Sequence, residues 1–400
     1  MKTLRFIATL VILLGIWAIL ANPLFAQEFQ LPENPLEGQA LFVKKGCIQC
    51  HSVFGEGGKV GSDLGRSQAN KTALGILAAM WNHSGEMSQA MIKGQNPAQL
   101  APNEMAALLS FLYYLNYFGQ PGSADNGAKI FESKGCNQCH SIGGKGGTEA
   151  PALDKLSYLA SPVLMAQEMW NHGTKMMQYL KKKNLLFPIL SGKDIADLLT
   201  YSQSFNPAPP QSVRYAFPGS PNRGAVLFKE KKCIQCHRIN GKGGTVGSDL
   251  SRRPFHQSVD EIAAIMWNHA PKMMQKMHAK GIMPPRFDCN EMADIIAYLY
   301  FLDFRIRPGD VEQGKKIFEA KQCNKCHSLN GYQGKIGPNL ARVKGLNDII
   351  TISTAMWNHN IKMQKEMKKQ HIPYPRFTGT ELKNLLTFIR SNREREDVEE

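Results

Sequence analysis

Two cysteines three positions apart, with a histidine directly after the second, put two thiols and an imidazole on one turn of chain. The arrangement occurs four times: Cys47-Ile-Gln-Cys50-His51, Cys136-Asn-Gln-Cys139-His140, Cys233-Ile-Gln-Cys236-His237 and Cys323-Asn-Lys-Cys326-His327. Thiols at i and i+3 can both add to the two vinyl groups of a haem, and the adjacent histidine is then delivered to the iron as its proximal ligand. Other chemistries fit less well. Zinc asks for four ligands in paired spacing, and no repeat contains a second cysteine pair. A redox dithiol expects a βαβ setting, which the sequence lacks, and has no use for a histidine fixed at the next position. Of the nine cysteines only Cys289 lies outside these motifs. It stands at the start of a helical pattern and reads as a buried or capping residue rather than a reactive thiol.

The elements that must position these groups repeat in one register, with a period of about 90 residues. A glycine lies nine residues before each first cysteine (Gly38, Gly127, Gly224, Gly314) and a phenylalanine five before it (Phe42, Phe131, Phe228, Phe318). The two sit one turn apart on a short amphipathic helix. An apolar periodic segment closes each repeat, at Met105 to Phe118, Ile195 to Phe205, Met292 to Phe304 and Leu382 to Ile389. The glycine should let this last helix cross the first closely, with the phenylalanine packed on Phe111, Tyr201, Tyr298 or Phe388. The expected fold is all-α: four tandem small helical domains, each around one covalent haem, at residues 27–120, 121–210, 211–306 and 307–400, strung like beads. Asn206 to Asn222 holds five of the 22 prolines and reads as a semi-rigid linker. Repeats one and three share Cys-Ile-Gln-Cys-His and Gly-Ser-Asp-Leu, while two and four share Lys-Ile-Phe-Glu before the motif. That alternation suggests duplication of a two-domain unit, although Pro-Arg-Phe in repeats three and four cuts across it.

Every repeat also carries Met-Trp-Asn-His, with another methionine four residues after the histidine. A six-coordinate haem needs one further ligand, and imidazole or thioether can serve. The candidates are His83, His172, His269 and His359, and Met87, Met176, Met273 and Met363. At i and i+4 both share one helix face, so both can approach one iron but only one can bind it. The alternative is a buried helix whose Met and Trp are only core. The tryptophan N–H wants a partner, for which a haem propionate is one candidate. Arg286 and Arg376, each in Pro-Arg-Phe, could bind a propionate or remain solvated. Met91, Met277 and Met367 recur eight residues after the histidine, but Leu180 in repeat two excludes a common ligand there. His256, His278 and His371 fall in no repeat frame and read as surface residues.

Before the first motif, Lys2 and Arg5 precede an apolar run from Phe6 to Ala21, broken by Asn22-Pro23, with Ala26 as a small residue at a cleavage point. Residues 1–26 read as a secretory signal peptide, or as an anchor if uncleaved, with 6–21 the only stretch able to engage a membrane. Either way the remainder is exported, to the periplasm or the outer face of the inner membrane. Lys and Arg number 48 against 33 Asp and Glu, a net charge of +15, so acidic partners are expected; nucleic acid is not. The acidic end, Glu394 to Glu400, reads as a frayed tail.

From residue 27 onward the chain resembles tandem class I c-type cytochromes. The resemblance rests on the Gly and Phe of the first helix, the C-x-x-C-H motifs and Gly337-Pro338-Asn339-Leu340. In that family the proline of G-P-x-L lies against the proximal histidine, and a nearby backbone carbonyl takes its Nδ1 proton, which fixes the tautomer. Pro151 and Pro338 keep this place, whereas Ser62 and Ser248 hold it in repeats one and three, so those proximal pockets are expected to be tuned differently. The family's order of helix, Asn-Gly and then ligand methionine overlays Asn268 to Met273 with His in place of Gly. It favours Met87, Met176, Met273 and Met363 as distal ligands over the histidines. The chain departs from the family after this point, where a basic, Met-rich stretch such as Lys272 to Gly281 intervenes before the last helix.

The resemblance implies an exported carrier of electrons with four haem c groups and His/Met ligation, not an enzyme. Its partners would be redox proteins or membrane electron-transport complexes. Methionine ligation would raise the potentials relative to bis-histidine. Two other classes remain open: a peroxidase- or reductase-like haem enzyme with one open axial site, for which repeat one is the best candidate, and a subunit of a polymerising haem wire.

Overall fold

A Cβ placed on Gly38 would lie 2.0 Å from the Ala107 carbonyl oxygen, and on Gly127, Gly224 and Gly314 it would lie 2.1, 2.0 and 2.1 Å from the corresponding carbonyls of Asp197, Asp294 and Asn384. Only a hydrogen fits, so at this point two helices cross backbone to backbone. The crossing pairs are α1 (Pro35–Lys44) with α3 (Pro102–Tyr114), α4 (Ala124–Ser133) with α6 (Gly192–Gln203), α7 (Pro221–Glu230) with α9 (Glu291–Phe301), and α10 (Val311–Ala320) with α12 (Gly379–Ser391). One turn further, Phe42–Phe111, Phe131–Tyr201, Phe228–Tyr298 and Phe318–Phe388 meet with ring centroids 5.7, 6.1, 5.8 and 5.7 Å apart, all tilted. These contacts are as the sequence pattern requires.

The computed structural model describes residues 35–66, 72–92, 99–156, 161–205, 219–252, 258–288, 290–304, 307–329, 331–345 and 348–392. The N-terminal apolar run, Met91's side chain, His256, Cys289 and the acidic end lie outside them. So do residues 206–218 of the proline-rich stretch, whose Pro221 and Asn222 instead open α7. Between the crossing helices, each repeat places its cysteine motif on a 3-10 turn followed by a hairpin of two-residue strands, such as Ser52–Val53 with Glu56–Gly57. A long helix follows: α2 (Ala73–Ile92), α5 (Pro162–Lys182), α8 (Val259–Ala279) and α11 (Ile349–Lys369). Side-chain caps fix several helix starts, with reciprocal capping boxes at Ser191/Asp194 and Thr378/Glu381. The fold is all-α, and among the described residues no helix is long and apolar enough to cross a membrane. The basic Met-rich stretch is the last turns of the long helix: α8 continues through Pro271 to Ala279.

The repeats are not beads. The long helices of domains 1 and 4, α2 and α11, pack on each other, as do α5 and α8 of domains 2 and 3. The Met-Trp-Asn-His segment makes the joint. Asn268 Nδ2 donates to the Leu190 carbonyl (2.7 Å) while the Leu190 N–H donates to Asn268 Oδ1 (3.0 Å). Asn171 does the same with Phe287 (2.9 and 3.0 Å), Asn82 with Phe377 (2.8 and 2.8 Å) and Asn358 with Leu100 (2.8 and 3.0 Å). Each asparagine thus holds a backbone segment of the paired domain, and each pair is reciprocal. A third joint links domains 1 and 3, where Tyr113 and Tyr300 donate their hydroxyls to each other's carbonyl (3.1 and 2.7 Å). Tyr117, Phe301 and Phe304 pack around them.

Replacing Asn268 by Ala removes both bonds to Leu190 and leaves a buried backbone pair without partners. A loss of about 1–3 kcal/mol is expected, read from chemical denaturation of the protein. The joint between domains 1 and 3 also holds an acid. Asp260 is 5% exposed, and its Oδ2 lies where a Cβ on Gly119 would be only 1.9 Å away. The Tyr117 hydroxyl beside it is buried and has no hydrogen-bond partner among the described residues. Burial pushes the Asp260 carboxyl up to about 6. Because the folded state holds this proton where the unfolded chain, with an ordinary pKa of about 4, has lost it, stability should fall as pH rises from about 4 to about 6. Asp260→Asn should flatten that decline, by up to about 3 kcal/mol, in thermal melts recorded across the range.

Candidate functional site

Each cysteine motif opens on a left-handed residue, Gly46, Gly135, Lys232 or Gln322, that turns the chain out of the first helix and into the 3-10 turn. No disulfide joins the eight motif cysteines. Before any covalent attachment, burial pushes the first thiol up in every repeat, to about 11 for Cys136, Cys233 and Cys323.

The histidine that follows is held from behind. Nδ1 of His51, His140, His237 and His327 lies 3.0, 2.9, 3.1 and 3.1 Å from the carbonyl oxygen of Ser62, Pro151, Ser248 and Pro338. A carbonyl only accepts, so the proton sits on Nδ1 and Nε2 keeps its lone pair for a metal. The acceptor is backbone, so exchanging proline for serine leaves the bond in place: this hydrogen bond does not distinguish domains 1 and 3. The residue just before it matters more. A Cβ on Gly61, Gly247 or Gly337 would come within 2.4, 2.5 or 2.5 Å of the imidazole carbon Cε1, which sets how closely this loop backs the ring. Domain 2 has Ala150 there.

Facing these histidines are two well-defined cavities. One, of about 320 Å³, has Cys136, Cys139 and His140 on one wall and His172 and Met176 of α5 on another. The second, of about 620 Å³, is built the same way from Cys47, Cys50 and His51 with His83 and Met87 of α2. The remaining lining is largely apolar, including Leu198 and Leu199 in the first and Leu108 and Leu112 in the second. Such a chamber, with two thiols beside an imidazole whose Nε2 is free and soft or nitrogenous donors opposite, fits a covalently attached planar iron macrocycle. It does not fit a bare ion: among the described residues no three His, Cys, Asp or Glu side chains are grouped to hold one.

On the long helix the histidine and methionine behave alike in all four repeats. Nδ1 of His83, His172, His269 and His359 lies 2.9, 3.0, 2.8 and 2.9 Å from the carbonyl four residues back. These imidazoles are exposed, whereas Met87, Met176, Met273 and Met363 are half-buried. His278 and His371 are exposed, as their positions outside the repeat frame predict.

One sequence expectation is corrected, and the segment around Arg286 and Arg376 gains a role the sequence did not show. The tryptophan N–H does not await a propionate: Trp81, Trp170 and Trp267 donate to the carbonyls of Pro375, Pro285 and Pro188 in the paired domain (2.7, 2.8 and 2.7 Å). Pro-Arg-Phe is correspondingly a joint element. Its proline supplies that carbonyl and its Phe287 or Phe377 ring packs on the tryptophan, while Arg286 and Arg376 are exposed, Arg376 facing Glu86 at 3.6 Å. What sequence reasoning missed is that Trp267 lines the domain 2 cavity and Trp357 the domain 1 cavity. The signal was the invariable Asn after each Trp, whose partners vary because only their backbone is used.

The domain 2 cavity has its own rim. Glu149 and Lys183, both lining it, pair at 2.7 Å, and this bond holds the Lys183 pKa above its ordinary value. The position of Glu149 is occupied by exposed Val60, Val246 and Ile336 in the other repeats.

A family model described as Cytochrome c matches residues 36–116, 124–205, 221–302 and 311–393. No solved structure matches the chain.

Ser248→Pro should leave the His237–carbonyl bond intact, whereas Gly247→Val should drive side-chain carbon into the imidazole. The expected result is an unchanged proximal environment for the first variant and loss or distortion of the domain 3 metal centre for the second. EPR spectra and haem content of the purified proteins would check this.

Proposed function

Because the chain belongs to the cytochrome c family in four consecutive repeats, we propose that it is an exported tetrahaem carrier of electrons between redox partners. The observation that carries the reading is the chamber in which a Cys-Cys-His wall faces a His/Met helix across an apolar interior. Each covalent haem would supply one-electron iron redox chemistry when bound. The residues that would hold it are Cys47, Cys50 and His51, Cys136, Cys139 and His140, Cys233, Cys236 and His237, and Cys323, Cys326 and His327. The protein's part would be to fix the proximal histidine's tautomer, exclude water with apolar walls and hold that histidine and the donor facing it in place.

For the distal position we favour Met87, Met176, Met273 and Met363. All four are partly buried, and Met87 and Met176 line the two cavities, which supports this; thioether ligation would place the potentials high. One observation favours His83, His172, His269 and His359 instead: each has Nδ1 tied to a backbone carbonyl, the bond a histidine ligand commonly makes with its other nitrogen. The signal-peptide pattern of residues 1–26, a short basic region before an apolar run, supports a periplasmic location. The excess of basic residues suits redox proteins or membrane complexes with acidic docking faces, in contacts that are fast and salt-sensitive.

The optical and EPR spectra of the purified ferric protein test the reading. A sulfur-to-iron charge-transfer band with all iron low-spin is expected. Low-spin iron without that band transfers the distal role to the four histidines, and a high-spin fraction points to an open site and catalysis.

A further inference from the structure

Both cavities are completed by a residue from another repeat. Trp267 of α8 lines the chamber of Cys136, Cys139 and His140, and Trp357 of α11 lines that of Cys47, Cys50 and His51. The tryptophans belonging to those domains, Trp170 and Trp81, are not among the lining residues. Trp267 is firmly placed, being 4% exposed, bonded to the Pro188 carbonyl and stacked on Phe187 at 4.4 Å. Trp81 has the same setting toward domain 4, bonded to the Pro375 carbonyl and stacked on Tyr374 at 4.9 Å. Trp170 points its N–H to Pro285 of domain 3.

We propose that the tryptophan of each Met-Trp-Asn-His segment is a positioning residue for the haem of the paired domain and not of its own. Haems 1 and 4 then form one couple and haems 2 and 3 another, out of chain order. In each couple the packed long helices lie between the two domains. In domains 1 and 4, Met80, Trp81, Met356 and Trp357 meet there around one small cavity. With haem bound, an electron exchanged within the couple would pass across these helices from a reduced to an oxidised centre, with no proton moved and no bond changed. The inference rests on the tetrahaem reading above.

The test is a spectroelectrochemical titration of the holoprotein that resolves the individual midpoints. Glu149→Gln, at the rim of the domain 2 chamber, marks haem 2. Val246→Glu, at the same position in domain 3, marks haem 3. Trp267→Leu is expected to shift the midpoint that E149Q moves and to leave the one that V246E moves. Trp267→Phe, which keeps a ring against the chamber, should restore most of that shift. It also serves as the reporter if the leucine variant does not fold. A shift confined to the V246E-marked haem, or no shift at all, overturns the inference. Haem content, read first as the pyridine haemochrome, separates the two failures: absence of covalent haem sinks the carrier reading, whereas a full complement with a shift in haem 3 sinks only the crossed assignment.

Discussion

An asparagine side chain that both donates to and accepts from one backbone unit satisfies two buried polar groups at once, and it does so without regard to the side chain it meets. In this protein that exchange, made by Asn82, Asn171, Asn268 and Asn358, determines which repeats are neighbours. The need for it follows from size. A repeat of about 90 residues has little apolar area to spare once its centre is given to a large cofactor, and small domains are marginal even with full cores. Here the missing wall is borrowed. The segment before each last helix leaves its backbone groups to be satisfied from outside, and the paired long helix supplies both the polar partners and the tryptophan that closes over them.

The contacts join the repeats in the order 4, 1, 3, 2. Domains 1 and 4 and domains 2 and 3 meet through their long helices, while domains 1 and 3 meet through the Tyr113–Tyr300 exchange and the rings around it. Each long-helix pair unites an odd with an even repeat. A duplicated two-domain unit, as the alternation of Cys-Ile-Gln-Cys-His with Cys-Asn-x-Cys-His suggests, would join repeat 1 to 2 and 3 to 4, so the spatial couples cut across that unit. The partners in a couple are not always adjacent in sequence, since domain 1 pairs across the whole chain with domain 4.

Much of each repeat was legible from residue types alone. The Gly38–Phe42 spacing and its copies predict a close helix crossing backed by an aromatic pair, because a missing Cβ and a ring one turn away have little other joint use. The proximal histidines could be placed because C-x-x-C-H confines the imidazole to one turn. The joints were hidden for a physical reason. A bond from Trp267 to a carbonyl at position 188 leaves no trace at position 188, since every residue has a carbonyl. The same indifference explains why Ser62 and Ser248 can stand where Pro151 and Pro338 stand: the acceptor for the histidine is the peptide, not the side chain. Arg286 and Arg376 are the opposite case: their charge draws attention, yet they are exposed, as one of their two readings expected, and the neighbouring proline carbonyl makes the contact.

The four sites are built to one plan but are not electrically equal. Three repeats present an exposed aliphatic residue beside the cysteine motif, Val60, Val246 and Ile336, and a glycine behind the proximal histidine. Domain 2 has Glu149 and Ala150 instead, with Lys183 reaching from the end of α5 to close the rim as an ion pair. An aliphatic rim leaves a metal edge open to close approach by another protein, and an ion pair must be broken or desolvated before a partner can seat. Domain 2 also contacts domain 3 through the long-helix joint, and it stands at one end of the 4, 1, 3, 2 series. Under the proposed function, a terminal site with an ion pair at its rim would be less suited to receive electrons from outside, and exchange with domain 3 across the joint would be its natural route. If the chain carries electrons as proposed, this asymmetry favours the aliphatic-rimmed domains for docking and gives the joint between domains 2 and 3 a part in conduction as well as in the scaffold.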